Sequence, residues 1–259
     1  MTEGNKTVLR DREAVIKVED LTVRYGENTI LDKVSLEVFQ GEVLVVAGGS
    51  GCGKSTLLKH IIGLARPLAG RIWINGVDIT EAEDEQLAEV RKKMGVLFQS
   101  SALFGSMNLS ENIILPLLTF TDLPSETINL IMKMKLGMVG LAGYENHFPD
   151  ELSGGMQKRA GIARAIVMDP QILFFDEPSA SLDPITAAGI DNLILNINHG
   201  MGTTMVIVTH ELQSIFTVAQ RIILLDKSKK GIIAEGTPLE LKEHSTDPLV
   251  RKFFNREAA

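Results

Sequence analysis

The sequence predicts an α/β fold built on a mostly parallel sheet. Three observations carry that expectation. Short, nearly all-apolar runs, "VLVVAGG", "ILFF" and "TTMVIV", have the character of strands buried on both faces. Segments with helical spacing lie between them, the alternation that builds a parallel sheet. Lys54, Asp176 and His210 follow these three runs, and ligand groups in open parallel sheets gather beyond the C-terminal strand ends. The 259 residues suit one large domain, or a core with a smaller inserted lobe.

The elements read in order as follows. "VIKVEDLTVRYG" and "KVSLEVFQGE" alternate apolar and polar residues with glycine punctuation, as strands with one buried face do. "VLVVAGG" leads into a helix over "STLLKHIIGL", and "GRIWINGVDI" reads as a short strand pair. From about 100 to 150 the chain is richer in Leu, Met and Ile at helical spacing. Pro116, Pro124 and Pro149 are expected to break it into pieces, giving a mainly helical inserted lobe. After "LSGG" a helix over "MQKRAGIARAIVMD" runs to Pro170. The strands "QILFFD" and "TTMVIVTH" then flank a helix over "PITAAGIDNLILNIN". The strand pair "RIILLD" and "KGIIAEG" precedes one polar C-terminal helix ending "DPLVRKFFNREAA".

Composition narrows the function classes. A net charge of −7 argues against a broad nucleic-acid surface. The single cysteine, Cys52, excludes an intrachain disulfide and a multi-cysteine metal site. No apolar run approaches the ~20 residues that cross a bilayer. The opening "MTEGNKTVLRDRE" has no apolar core of a secretion signal. A cytosolic protein is expected, with any membrane role exercised through a partner.

"GGSGCGKS", Gly48 to Ser55, fits G-x-x-x-x-G-K-[ST] between a predicted strand and a predicted helix. Glycines let backbone N–H groups turn toward an anion, and the helix N-terminus adds its dipole. Lys54 can place its ammonium on the β- and γ-phosphates of a nucleotide, and the Ser55 hydroxyl can ligate Mg²⁺. Cys52 occupies a position the pattern leaves free. It is either a small tolerated residue or a thiol made reactive by the helix N-terminus, able to block nucleotide binding when oxidised. Asp176 and Glu177, just past "ILFF", suit Mg²⁺ binding and activation of an attacking water respectively. His210 suits contact with the γ-phosphate and positioning of that water.

"LSGGMQKR", Leu152 to Arg159, opens a helix with two glycines, each costing roughly 1 kcal/mol relative to alanine. A bare backbone at Gly154 and Gly155 permits close approach of an anion, and Ser153 adds a donor; alternatively Ser153 is a simple N-cap.

With "GGSGCGKST", "LSGGMQKR", "ILFFDEP", "SLD" and "VTH" in this order, the chain resembles the ATP-binding cassette ATPases over residues 14 to 245. The resemblance implies a P-loop NTPase, RecA-like core with an N-terminal antiparallel β subdomain and an inserted α-helical subdomain at about 100–158. One ATPase domain over 14–248 and a C-terminal tail over 249–259 follow. It implies ATP and Mg²⁺ as cofactors. Lys54, Gln99, Glu177 and His210 take the catalytic roles, and Ser55, Gln99 and Asp176 hold the metal. ATP would be held by Tyr25, stacking on adenine, and by Gly48, Gly49, Ser50, Gly51, Cys52, Gly53, Lys54, Ser55 and Thr56. A second copy would complete the site with Ser153, Gly154, Gly155 and Gln157, while Asp183 couples the two sites.

Within that family, "LFQSSALFGSMNLSENIILPL", "FPDELSGGM", "DEPSASLDPI" and "DPLVRKFFN" resemble the ATPases of Mla/Mce-type phospholipid transport systems. That likeness implies an integral-membrane permease, an Mce-domain lipid-binding protein and a small accessory protein as partners. It also implies a place on the cytoplasmic face of the inner membrane, and no nucleic-acid partner. Ser181 and Gln220 depart from the glycine and aspartate common at their positions. An importer ATPase for amino acids or metal chelates shares the core motifs, and a soluble non-transport cassette protein is a further alternative. Phe104, Met107 and Leu109 either border the permease groove or pack in the core. "DPLVRKFF" either reaches the opposite ATPase copy or packs on its own.

Overall fold

A computed structural model describes residues 13–255. The N-terminal strands β1 (Ala14–Tyr25) and β2 (Asn28–Phe39) pair antiparallel. With β4 (Ala69–Ile74) and β5 (Val77–Asp78) they form a sheet of order β2-β1-β4-β5. A second sheet contains β3 (Val43–Gly48), β6 (Met94–Leu97), β7 (Ile172–Asp176), β8 (Thr204–Val208), β9 (Arg221–Asp226) and β10 (Gly231–Gly236). Its order is β10-β9-β3-β8-β7-β6, parallel except for β10.

Side-chain alternation along the parallel strands divides the interior into two cores. Val43, Val45, Leu173, Phe175, Met205 and Ile207 face one side, toward the helical lobe. Leu44, Val46, Ile172, Phe174, Val206 and Val208 face the other, toward the antiparallel sheet and α1 (Lys54–Ile61). Every residue of β3, β7 and β8 is buried, which is why these segments read as continuous apolar runs.

The register aligns the strand ends. Val46 lies beside Val208, Val208 beside Asp176, and Leu97 beside Phe175. The segments leaving β3, β8, β7 and β6 therefore emerge along one edge and carry Lys54, His210, Asp176 with Glu177, and Gln99.

Helix α2 (Asp84–Lys92) precedes β6. The lobe that follows holds α3 (Leu109–Phe120), α4 (Ser125–Met138) and α5 (Gly154–Ala165). Pro116 does not break α3, contrary to the sequence expectation. Its missing N–H and ring crowding cost about 3 kcal/mol. Against that, Leu109, Ile113 and Leu117 are buried on one face, each worth about 1.5–3 kcal/mol. Asn108 and Glu111 add a reciprocal capping box at the N-terminus. Leu109 is thus a core residue, while Phe104 is half exposed beneath the Arg164 guanidinium.

Helices α6 (Pro184–Met201) and α7 (Leu212–Val218) flank β8. The last described residues form two helices instead of one, α8 (Pro238–His244) and α9 (Pro248–Asn255), and the final part of the expected helix and tail, 256–259, lies outside the described residues. Ser245 leaves the helical conformation ahead of Pro248, which cannot continue a helix. In α9, Val250 and Phe254 are buried in this chain's own main core, with the Phe254 ring 5.8 Å from that of Phe216.

Candidate nucleotide site

Gly51 and Gly53 adopt φ of 72° and 104°, values that glycine tolerates readily, as β3 turns into α1. A Cβ on Gly53 would meet Leu31 Cδ2 at 2.7 Å, so β2 sets the bend from behind. The N-terminus of α1 has no side-chain cap and no acidic residue in its first turn. The N–H groups of its first turn and its dipole thus favour an anion. A cleft of about 510 Å³ opens there. Tyr25, Ile30, Ser50, Gly51, Gly53, Lys54, Ser55, Thr56, Gln99, Glu177 and His210 line it. The Tyr25 ring is 53% exposed, leaving a face free for stacking.

Lys54 Nζ donates to the Gly48 and Gly49 carbonyls at 2.8 and 3.2 Å. Ser55 Oγ donates to Asp176 Oδ1 at 3.0 Å, bringing two hard oxygen atoms together. Burial raises the Asp176 pKa above its ordinary value; the Ser55 hydrogen bond opposes that and the Glu177 charge reinforces it. Among the described residues no cluster of three or more His, Cys, Asp or Glu side chains could hold a metal alone. A hydroxyl and a carboxylate are oxygen donors of the kind Mg²⁺ takes, and would leave positions for phosphate oxygens and water.

Glu177 and His210 form a pair, with Glu177 Oε1 2.7 Å from His210 Nδ1. The other carboxylate oxygen, Oε2, is buried without a hydrogen-bond partner among the described residues. Glu177 also has a φ of 50°, an uncommon conformation for a residue with a side chain. Its N–H donates to the Val208 carbonyl at 2.8 Å, which locks the strained turn to β8.

Cys52 points away from the cleft. It is 2% exposed in the core beneath the antiparallel sheet, and burial raises its thiol pKa. The reading as a small tolerated residue fits this placement, and that as an exposed reactive thiol does not.

Ser153, Gly154, Gly155, Gln157 and Asp183 do not line the cleft of their own chain. Ser153 caps α5, accepting from Met156 N at 3.3 Å. Gln157 Nε2 donates to the carbonyls of Pro149 and Leu152, holding the turn ahead of α5. Asp183 caps α6 by accepting from the N–H groups of Ile185 and Thr186. Its pKa is lowered, above all by the Thr186 side-chain hydrogen bond. The two glycines separate in role. A Cβ at 155 would lie 2.4 Å from Thr186 Cγ2, so a side chain there forces Thr186 or α6 itself to shift. At 154 the nearest atom would be Leu182 Cδ2 at an ordinary 3.6 Å, and nothing among the described residues excludes a methyl group.

The sequence carries no local signal for Ile30 or Lys158. Ile30 enters the cleft through the β1–β2 hairpin, for which an isolated strand isoleucine gives no signal. Lys158 is a buried cation on α5 that reaches backbone carbonyls, which no spacing rule reveals.

Strand, glycine loop, helix and an acidic pair at the end of a strand one removed in the same sheet define a P-loop nucleoside-triphosphatase. The chain belongs to the ABC transporter family, whose profile matches residues 31–180, and is an ATP-binding, ATP-hydrolysing member of it. It is 45% identical over 240 residues to a Mycobacterium leprae protein named as a probable ribonucleotide transport ATP-binding protein. That match covers 93% of this chain and 68% of the relative. The share of the matching Mycobacterium tuberculosis relative is 66%, so the chain spans about two thirds of those relatives' length. It is 40% identical to the intermembrane phospholipid transport ATP-binding protein MlaF of Haemophilus influenzae, over 94% of this chain and 91% of that one. For Escherichia coli MlaF the values are 38%, 93% and 88%. Among solved structures, a dimeric ATP-binding cassette in a post-hydrolysis state with ADP and Pi matches with a TM-score of 0.79 and 32% identity. It covers 86% of this chain and 98% of that one. A component of the cbiONQ ABC transporter complex of Clostridium perfringens matches with a TM-score of 0.81 and 27% identity, covering 90% and 92%. Among the described residues no helix is long and apolar enough to cross a membrane.

Proposed function

We propose that this chain energises a membrane lipid transporter, two copies closing head to tail around two ATP molecules and driving an integral-membrane permease. The observation that carries the shared site is a separation within one chain. The cleft gathers Tyr25, Lys54, Ser55, Gln99, Glu177 and His210. Ser153 and Gly154 lie outside it, at a turn where the chain itself gives no reason for Gly154. The dimeric state of a similar cassette supports the pairing.

Adenine stacks on the exposed Tyr25 face. Lys54 exchanges its Gly48 and Gly49 carbonyls for phosphate oxygens, and the loop N–H groups hold the rest. Ser55, Asp176 and Gln99 would hold a Mg²⁺ bound with the nucleotide, which would supply positive charge beside the phosphates. Glu177, oriented by His210 through Oε1, lines the cleft and is the carboxylate that accepts a proton from water there. The partner's Ser153–Gly154 turn contributes backbone donors and a helix dipole at the γ-phosphate.

Phospholipid is the cargo that the two MlaF relatives support, and they cover most of both chains. Ribonucleotide is the second reading, from the name of the mycobacterial relatives. An Mce-domain protein, a small accessory protein and a place on the cytoplasmic face of the inner membrane belong to the lipid reading. Purification of the native complex tests it. Co-purified phospholipid with a permease and an Mce-domain partner is the expected result. A solute-binding protein and no lipid would overturn it.

A further inference from the structure

Lys158 lies on α5 one helical turn after Gly154 and is only 6% exposed. Its ammonium donates to two backbone carbonyls from different strand ends: Gln99 at 2.6 Å and Glu177 at 3.0 Å. Gln99 follows β6 and Glu177 follows β7, and both side chains line the cleft. Glu177 is the residue held at a φ of 50°, and such a conformation persists only where its surroundings fix it. The Val208 carbonyl takes its N–H. Its carbonyl accepts from Lys158 and, more weakly, from Ala180 N at 3.3 Å. Burying a lysine is unfavourable: desolvation lowers the Lys158 pKa, while the Asp176 and Glu177 charges work the other way. A methionine would fill such a space without that penalty.

We propose that Lys158 is a positioning residue for hydrolysis. It fastens the Gln99 loop and the Glu177 turn to α5, so that both cleft-facing side chains keep a fixed register with the Ser153–Gly154 turn. The proposal rests on the roles given above to Glu177 and Gln99. A displacement of the Glu177 carboxylate by about 1 Å is enough to lower a rate on the order of 10²-fold. ATP binding itself uses Tyr25 and the phosphate loop, which Lys158 does not touch.

The test is steady-state ATP hydrolysis by the full chain, with its membrane partner where one co-purifies. Lys158→Met, Lys158→Arg and Glu177→Gln are compared. The expected result is a fall in kcat of tenfold or more for Lys158→Met, with KM for ATP within about twofold, and recovery to within about threefold in Lys158→Arg. Should the methionine variant not fold, Lys158→Gln, which is shorter and uncharged, is expected to show the same fall in kcat at unchanged KM. Folded Lys158→Met or Lys158→Gln hydrolysing at the original rate would overturn the proposal. So would equal loss of kcat in Lys158→Arg and Lys158→Met. Full activity in Glu177→Gln would instead overturn the underlying role of Glu177, which separates the two failures.

Discussion

Replacing the two glycines of "LSGG" by alanine one at a time separates fold from chemistry. At position 155 a Cβ would sit 2.4 Å from Thr186 Cγ2, so either the Thr186 side chain or the N-termini of α5 and α6 must shift. Overpacking of this kind costs about 1–3 kcal/mol, offset by up to about 1 kcal/mol of helix propensity. At position 154 the nearest atom is 3.6 Å away, so only the propensity gain applies. Gly155→Ala is therefore expected to be at least about 1 kcal/mol less stable than Gly154→Ala, lowering Tm by about 2–4 °C in a chain of this size. Thr186→Ser removes the obstructing methyl and keeps the hydroxyl, so adding it to Gly155→Ala restores Tm. ATP hydrolysis follows a different order: Gly154→Ala, stably folded, loses activity because its methyl meets the partner's nucleotide. Thermal melts and steady-state hydrolysis on the three variants and the original chain check this. Equal Tm for the two alanine variants, or no recovery with Thr186→Ser, would refute the packing argument. Full hydrolysis by Gly154→Ala would refute the close approach.

Other consequences are as direct. Arg221 pairs with the fully buried Glu42 through Nε at 2.7 Å and Nη2 at 2.9 Å, so Arg221→Met strands a carboxylate. A loss of about 3–5 kcal/mol in urea denaturation is expected, and a loss below about 1 kcal/mol would contradict it. Asp191 is buried, and burial raises its pKa while the Ser214 hydrogen bond opposes the shift. Its folded state thus prefers the proton. The stability it contributes is present below the unfolded carboxyl pKa of about 3.9 and is lost as pH rises through the folded pKa. Asp191→Asn should therefore gain stability relative to the original chain as pH rises over that interval; melts showing a constant difference would argue against it. Ser181 holds a φ of 65°. Ser181→Gly relieves that conformation, and after the entropy of a freer unfolded chain a gain of up to about 1 kcal/mol is expected by thermal melt. A loss of stability would show that Ser181 is not strained.

Strands and the phosphate loop are legible in the sequence because their signals are local. "VLVVA", "ILFF" and "TTMVIV" are apolar at every position, and the structure buries them on both faces. What the sequence hides depends on partners distant in the chain. Pro116 reads as a breaker until Ile113 and Leu117 are seen packed in the core. Gly155 looks like half of an anion-binding pair until Thr186 is placed against it. Gln157 shows its amide bonds to Pro149 and Leu152 only once the turn ahead of α5 is folded. Lys158 belongs to the same class, since its two carbonyl acceptors come from strands that only the sheet brings together.

The sharing of one hydrolytic site between two copies is tested most directly by complementation. Ser153→Arg blocks the turn of one copy, and Lys54→Ala empties the phosphate loop of the other. Each variant alone is expected to be inactive, with ATP binding to the Ser153→Arg monomer retained. In an equal mixture half the pairs are mixed, and each holds one whole site of two. Independent sites would then return about a quarter of the original hydrolysis. No recovery on mixing, or normal hydrolysis by Ser153→Arg alone, would contradict a shared site.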